Sequence, residues 1–258
     1  MKSYFEQLRA YFAQKPIKLY CLEEVDSTST FLKQRAGQRP MLAVALRQTA
    51  GRGRLGRVWS SQGENLYASF YYPLCQQPAE ALTLCVALAV SDAVEEMGVY
   101  TRIKWPNDLY VGDRKLCGIL CEAIYRGAKI DGIVIGIGVN ANQESFSGEA
   151  EGAVSLKNVL GHEIALAELC CRIYETLEQT LARFYKEGFG AFREEYMSRS
   201  YLQGREVVAG NLSGTCIGVS PAGDLLLRTG GLVQSVRFGE VLQRVRLKAQ
   251  KLEEERKE

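Results

Sequence analysis

The chain has 258 residues, a formal net charge of +2, 47% apolar residues and 24% charged residues. That length allows one large domain plus a small one, and the composition is that of an ordinary globular protein. A net charge so close to neutral gives no bulk basic field to draw the chain onto nucleic acid or an anionic membrane.

No apolar run approaches the length of a membrane span, and Met1 to Lys15 carries charge throughout, unlike a signal peptide. A cytoplasmic protein is expected. The eight cysteines, at 21, 75, 85, 117, 121, 170, 171 and 216, form no C-x-x-C pair and lie mostly in apolar runs. They read as reduced thiols used as small hydrophobes. His162 is the only histidine and sits in a turn. A Ser-His-Asp triad or a His-ligated zinc site would have to be built on it alone. Any catalysis must therefore rest on Lys, Arg, Asp and backbone groups.

In chain order, Ser3 to Gln14 reads as a short helix with Tyr4, Phe5, Leu8, Tyr11 and Phe12 on one side. Lys18 to Leu22 reads as a strand, and Asp26-Ser27-Thr28-Ser29-Thr30 places hydroxyls where a helix needs its N-cap. Met41 to Leu46 is an apolar strand, and Leu66 to Tyr72 is another. Residues 47 to 65 link the two. Pro78 to Met97 is apolar nearly all round its middle, hence a buried helix, with Gly98 as its stop. Arg102 to Val111 reads as strand, break, strand: Pro106 cannot donate to a ladder and Asn107-Asp108 is turn chemistry. Gly112 to Lys115 is a hairpin turn between that strand and Lys115 to Ala123. Ile130 to Val139 follows and ends at Asn140. Asp108, Lys115 and Asn140 thus fall at strand ends, where a rigid sheet tends to carry site residues.

Residues 141 to 161 read as a loop. Leu166, Leu169, Ile173, Leu177, Leu181 and Phe184 recur at helical spacing, and a shorter helix is expected over Gly190 to Met197. From Arg205 to Leu242 short β-rich pieces alternate with glycines, as in a small barrel. The domain division expected is 1–200, 201–247 and a charged tail over 248–258.

One stretch stands out: Gly51-Arg52-Gly53-Arg54-Leu55-Gly56-Arg57. Glycine permits left-handed turns and close approach, and arginine carries a permanent charge on a rigid fork suited to carboxylate and phosphate. The run fits G-x-G-x-x-G, but a dinucleotide fingerprint must open a helix, and here a strand follows. No G-K-[ST] follows either, so it is not a Walker loop. Taken alone, the run leaves two readings open, a loop that closes over an anion and a solvated basic loop.

With these pieces in view the chain resembles biotin–protein ligases. The resemblance rests on Asp26-Ser27-Thr28, on Gln48-Thr49-Ala50 running into Gly51 to Arg57, and on Val58-Trp59-Ser60-Ser61 and Asn65-Leu66-Tyr67. It rests equally on Lys104-Trp105-Pro106-Asn107-Asp108-Leu109-Tyr110, Lys115-Leu116-Cys117-Gly118-Ile119-Leu120 and Gly136-Ile137-Gly138-Val139-Asn140. It covers residues 18 to 245. It implies an α+β fold, a mixed-sheet catalytic domain with helices and a small C-terminal SH3-like barrel. The match is to the monofunctional type, without an N-terminal DNA-binding domain, so no DNA partner is expected.

The activity implied has two steps: biotin and MgATP form biotinyl-5′-AMP and pyrophosphate, then a lysine of a biotin carboxyl carrier protein takes the biotin. Lys115, Arg54 and Asp108 are the implied catalytic residues. Ser27, Thr28, Ser29, Gln48, Arg52, Gly53, Arg54, Lys115 and Gly118 are implied at biotin, with Ser29 standing where some relatives carry asparagine. Arg54, Arg57, Trp59 and Asn140 are implied at the nucleotide. Asp108 is the candidate for magnesium or for the incoming lysine, and no other metal ligand is expected. A homodimer paired through a sheet edge is compatible with the family. Three rivals remain at this point: a lipoate–protein ligase with the same acyl-adenylate logic, a nucleic-acid module using the Arg-Gly run, and a non-catalytic biotin sensor.

Overall fold

The computed structural model describes residues 3–61, 63–73, 79–237 and 241–243. Pro78 and the charged tail over 248–258 lie outside the described residues.

The first elements alternate between helix and strand. Helix α1 (Tyr4–Phe12) opens on a capping box, in which the Ser3 hydroxyl accepts from the Glu6 N–H and the Glu6 carboxylate accepts from the Ser3 N–H. Strand β1 (Lys18–Val25) is followed by α2 (Thr28–Lys33), capped by Ser27, and by β2 (Met41–Gln48), which runs parallel to β1. This crossover makes the sheet mixed. Every later pairing in it is antiparallel: β3 (Leu66–Pro73), then, after α3 (Ala79–Glu95), β4 (Arg102–Lys104), β5 (Asp108–Val111), β6 (Arg114–Arg126) and β7 (Lys129–Val139). The seven strands lie in the order β1-β2-β3-β7-β6-β5-β4.

Alternation along the central strands divides the sheet into two unlike faces. On β7, Ile133, Ile135, Ile137 and Val139 enter the main core, while Val134, Gly136 and Gly138 point the other way. On β3, Ala68, Phe70 and Tyr72 enter the core, and Tyr67, Ser69 and Tyr71 point away. The core face is covered by α3 and by α5 (Leu166–Glu187). Helix α3 lies between the sheet and α5, which is why it is apolar on all sides: Leu82, Leu84, Val86, Leu88 and Val90 are all buried. Helix α5 needs only one apolar face and has a polar one outside. On the opposite face, α2 covers Met41, Ala43, Tyr71 and Val134 with Leu32. Among the described residues, no helix covers the glycine-bearing part of that face.

Residues 141–161, expected as a loop, include a 3-10 turn (Gly148–Ala150) and the helix α4 (Leu156–Leu160). Ser155 and Asn158 form a capping box there. The expected helix over Gly190 to Met197 is a 3-10 turn (Phe189–Phe192) running into α6 (Arg193–Ser198).

The C-terminal strands are β8 (Glu206–Ala209), β9 (Leu212–Val219), β10 (Leu225–Thr229), β11 (Leu232–Val236) and β12 (Val241–Gln243). They form an antiparallel sheet in the order β11-β10-β9-β8-β12. This is the expected SH3-like arrangement; among the described residues β11 and β12 are not paired with each other, so the barrel is not closed there. Its turn at 220–224 rests on Trp105 and α3. The Trp105 indole N–H donates to the Gly223 carbonyl at 3.0 Å. A Cβ on Gly223 would lie 2.8 Å from Leu84 Cδ1, so α3 and this turn touch at backbone range.

Leu88 of α3 is 1% exposed in the middle of the shared core. Leu88→Ala is expected to lower unfolding stability by about 3 kcal/mol, the usual range for a buried leucine truncation with partial relaxation. Urea denaturation of parent and variant checks this.

Candidate active site

The uncovered end of the glycine face is the floor of a cleft of about 1040 Å³. Its walls come from the start of α2, the chain between β2 and β3, the β4–β5 turn and the first residues of β6. Every residue that the sequence analysis proposed for the site lines it: Ser27, Thr28, Ser29, Gln48, Arg52, Gly53, Arg54, Arg57, Trp59, Asp108, Lys115, Gly118 and Asn140.

One end is neutral and hydroxyl-rich. Gln48 closes β2, and its Oε1 accepts from the Thr28 backbone N–H at 2.9 Å and from the Thr28 hydroxyl at 3.1 Å. Its amide Nε2 donates to the Ser61 hydroxyl at 3.0 Å. The Ser69 hydroxyl, on β3, lies 2.7 Å from that of Thr28 and 2.9 Å from that of Ser29. Thr28, Ser29 and Ser69 are buried. Ser27 faces the cleft while capping α2 through the Thr30 N–H. Hydroxyls donate and accept by rotation, so this end matches a neutral polar group that does both.

The other end is charged. Lys115 Nζ lies 2.8 Å from Asp108 Oδ2. A β-bulge delivers that lysine to the cleft. Asp108 pairs with Gly118 and Leu109 with Cys117, but Tyr110 pairs with Lys115, one residue out of step. Leu116 and Cys117 therefore both enter the main core, and Lys115 turns to the same side as Gly118. Asp108 Oδ1 is buried and has no hydrogen-bond partner among the described residues. Such an acceptor costs about 1–3 kcal/mol and is characteristic of functional sites. Burial pushes the neighbouring Cys117 thiol up, and the Asp108 charge acts in the same direction. That thiol stays protonated and is no nucleophile.

The Gly-Arg run is a tight hairpin. Arg52 and Val58 face each other across it. The Gly53 N–H donates to the Arg57 carbonyl at 2.8 Å and the Trp59 N–H to the Gly51 carbonyl at 2.9 Å. The reversal occurs at Leu55 and Gly56, both left-handed (φ 53° and 75°). The hairpin lies over the cleft. Arg54 donates to Asn107 Oδ1 at 3.2 Å, and Asn107 Nδ2 donates to the Ile119 carbonyl at 2.8 Å. The Arg52 guanidinium grips both oxygens of Glu122, at 3.0 and 3.3 Å.

Trp59 lies on the floor itself. Gly118 and Gly138 are opposite each other on β6 and β7. A Cβ on either would fall 2.6 or 2.5 Å from the indole ring, so only glycine lets the ring lie flat. Lys115 Nζ sits 5.4 Å from the ring centroid, within cation–π range. Trp59 Nε1 is buried with no hydrogen-bond partner among the described residues. Asn140 Nδ2 donates to the Val154 and Lys115 carbonyls at 3.2 and 3.4 Å, so its amide also braces the chain leading to α4.

Four residues in or beside the cleft were given no role in the sequence analysis. Asn107 was legible as turn chemistry and as part of the Lys104 to Tyr110 motif, but not as the acceptor of Arg54. Ser61 lies in the Val58-Trp59-Ser60-Ser61 motif but was given no role, whereas Ser69 and Glu122 have no local signal, because β-pairing and the hairpin bring them in. His162, by contrast, is an exposed turn residue, as expected.

Comparison with known proteins converges on one family. The model of the Biotin/lipoate A/B protein ligase family matches residues 21–140. The bifunctional ligase/repressor BirA of Salmonella typhimurium is 33% identical over 232 residues, covering 85% of this chain and 72% of that protein. A biotin–[acetyl-CoA-carboxylase] ligase of Paracoccus denitrificans is 31% identical over 202 residues, covering 72% of this chain and 82% of that protein. Among solved structures, a biotin protein ligase from Aquifex aeolicus in complex with biotin and ATP superposes with a TM-score of 0.79. It is 32% identical and covers 87% of this chain and 97% of its own.

The glycine floor has a spectroscopic consequence. Gly138→Ala must lift the Trp59 ring, so tryptophan emission is expected to move to longer wavelength and acrylamide quenching to increase. Trp105, the only other tryptophan, is buried and unaffected. Emission identical to the parent would mean that the ring does not rest on Gly138.

Proposed function

The chain belongs to the biotin/lipoate A/B protein ligase family, and we infer that it joins biotin to AMP and then passes the biotin to a lysine of a biotin carboxyl carrier protein. One observation carries this reading: the polarity of a single cleft. Its neutral end offers Thr28, Ser29, Ser69 and Gln48, and its charged end offers Lys115 with the arginine hairpin above. Biotin has the same polarity, a neutral ureido ring at one end and a carboxylate at the other.

In the first step a biotin carboxylate oxygen attacks the α-phosphorus of ATP and pyrophosphate leaves. Two anions must meet, so fixed positive charge and exclusion of water lower the barrier. Lys115, at the cleft floor, carries a compact charge suited to the carboxylate and α-phosphate together. Arg54 and Arg57, on the hairpin, add charge from above, and the closed hairpin keeps water from the anhydride. Arg52 and Gly53 belong to the same wall, with Gly118 beneath. Trp59 supplies an aromatic face for the adenine, and Asn140 lies at the same end for the base or ribose.

In the second step the carrier lysine attacks the acyl carbon, the acyl–phosphate bond breaks and AMP leaves. The amine's proton goes to solvent as the amide forms, and Asp108, with Oδ1 unpartnered, would position the amine. Among the described residues no cluster of three or more His, Cys, Asp or Glu could cage a metal. Asp108, beside Lys115, is the carboxylate that would face magnesium arriving on the nucleotide phosphates. When bound, the ion would offset phosphate charge.

ATP–pyrophosphate exchange tests the reading directly. It is expected to depend on biotin and not on lipoate; exchange driven by lipoate alone would replace the biotin reading with a lipoate one. Lys115→Ala should lower biotin-dependent exchange on the order of 10²–10³-fold, the usual loss for a preorganised charge at the reacting centre. Near-parent exchange would remove Lys115 from that role.

Arg54→Gly separates the lid from the chemistry. It is expected to leave adenylate formation measurable while biotinyl-5′-AMP escapes into solution, detected as free adenylate after rapid filtration. Retention equal to the parent's would overturn the lid role of Arg54.

A further inference from the structure

We propose that Glu122 is a positioning residue that holds the arginine hairpin closed and ties it to the wall of the cleft. Its carboxylate stands on β6 on the cleft side, in step with Gly118 and Leu120. It receives both arms of the Arg52 guanidinium, and Lys33 Nζ lies 2.6 Å from the same carboxylate. The side chain of Glu122 is only 20% exposed, and those of Lys33 and Arg52 are 29% and 42% exposed.

One carboxylate therefore meets a cation from each of two different elements. Arg52 is at the base of the hairpin that carries Arg54, Arg57 and Trp59. Lys33 is in the last turn of α2, whose first turn supplies Thr28 and Ser29. Glu122 itself is on the strand that supplies Lys115 and Gly118. The three elements that wall the cleft are thus joined at a point outside its reacting end.

The geometry is of the kind that orders side chains. A guanidinium forked onto a carboxylate has fixed direction as well as charge, unlike a single-point contact. The half-buried setting weakens screening relative to an exposed pair. Two cations on one anion leave the cluster with a formal charge of +1, so removing the carboxylate leaves Arg52 and Lys33 facing each other. Glu122→Gln keeps the size and turns an attraction into a repulsion. The hairpin then loses its hold at Arg52 while its own turn, closed by Gly53, Arg57, Gly51 and Trp59, stays intact.

The closed hairpin does not depend on any ligand reading, whereas its consequence, retention of the adenylate, rests on the function proposed above. Two measurements keep these apart. The first is limited trypsin digestion of the ligand-free protein, followed by mass spectrometry of cuts between Arg52 and Arg57. Glu122→Gln is expected to be cut there about tenfold faster than the parent, as loss of a charge-assisted contact implies. Arg52→Met should match it at the two arginines that remain, and combining the two changes should add nothing further. Glu168→Gln, which removes a partner of Arg172 on α5, is the control and should be cut at the parent's rate. Equal rates for parent and Glu122→Gln would overturn the proposal, and so would effects of Arg52→Met and Glu122→Gln that multiply. If Glu122→Gln folds poorly, Arg52→Met alone decides.

The second measurement loads the protein with biotin and ATP and follows escape of biotinyl-5′-AMP. Glu122→Gln is expected to release it about tenfold faster, with the rate constant of pyrophosphate exchange within about twofold of the parent, since no reacting atom is touched. A purely structural role would lower both together. Faster cleavage with unchanged release would sink the retention role. If the parent forms no adenylate from biotin, the proposed function falls and the digestion result alone decides whether Glu122 closes the hairpin.

Discussion

The constraint on which the rest of the molecule depends is the two-sidedness of its central strands. A strand shows alternate residues to opposite faces, and β7 uses this by placing Ile133, Ile135 and Ile137 on one face and Gly136 and Gly138 on the other. The first face builds a core under α3 and α5. The second, with Gly118 opposite Gly138 and Ser69 opposite Gly136, leaves a flat floor with backbone exposed to whatever lies on it. A core and a cleft thus share the same few residues. The floor keeps its shape because the reverse side is filled: the glycines contribute nothing to packing, so the stiffness comes from the isoleucines behind them.

Charge is distributed over that floor in a graded way. At the first turn of α2 the side chains on the floor are neutral and bonded to one another: Thr28 to Gln48 and Ser69, Ser29 to Ser69, Gln48 to Ser61. Near β5 the groups are ionic, Lys115 with Asp108. The bulge between Leu109 and Tyr110 separates the two regimes, because it turns Lys115 out of the core register and into the cleft. Were the ladder regular through Leu116, Lys115 would sit on the core face with an uncompensated charge, which folding does not tolerate.

Much of this was legible in the sequence, and the parts that were not share a cause. The strands were visible because Ile, Val and Leu at alternate positions specify a face locally. The cleft residues carried by the Gly-Arg run and by Lys104 to Tyr110 were visible as motifs. Helix α4 was missed because its five residues are too few for a hydrophobic period, although Ser155 and Asn158 did form its capping signal. Glu122 looked like any strand carboxylate. Its role comes from Arg52, seventy residues earlier, and from Lys33. In the C-terminal part the SH3-like strands were legible, but whether the edges meet was not, because short strands between glycines specify pairing and not closure. Local pattern reports elements and faces, whereas the partners of a side chain depend on tertiary register.

The link between the two sheets follows the same logic. Asn107 ends the short turn between β4 and β5 and Asp108 opens β5, at the edge of the large sheet, where a three-residue strand by itself confers little rigidity. That edge is reinforced from the C-terminal side. The Ile103 N–H donates to the Arg199 carbonyl and the Tyr201 N–H to the Ile103 carbonyl, which carries the ladder into the connecting segment. The Tyr201 ring stacks on Tyr110, and its hydroxyl donates to Asp113. Trp105, immediately before the turn, is held by the Gly223 carbonyl of the smaller sheet. The residues that face the reacting end of the cleft are therefore fixed by contacts from a part of the chain a hundred residues away. The small sheet is in effect the support of the β4–β5 turn, and the accuracy with which Asp108 meets Lys115 depends on the two sheets staying docked.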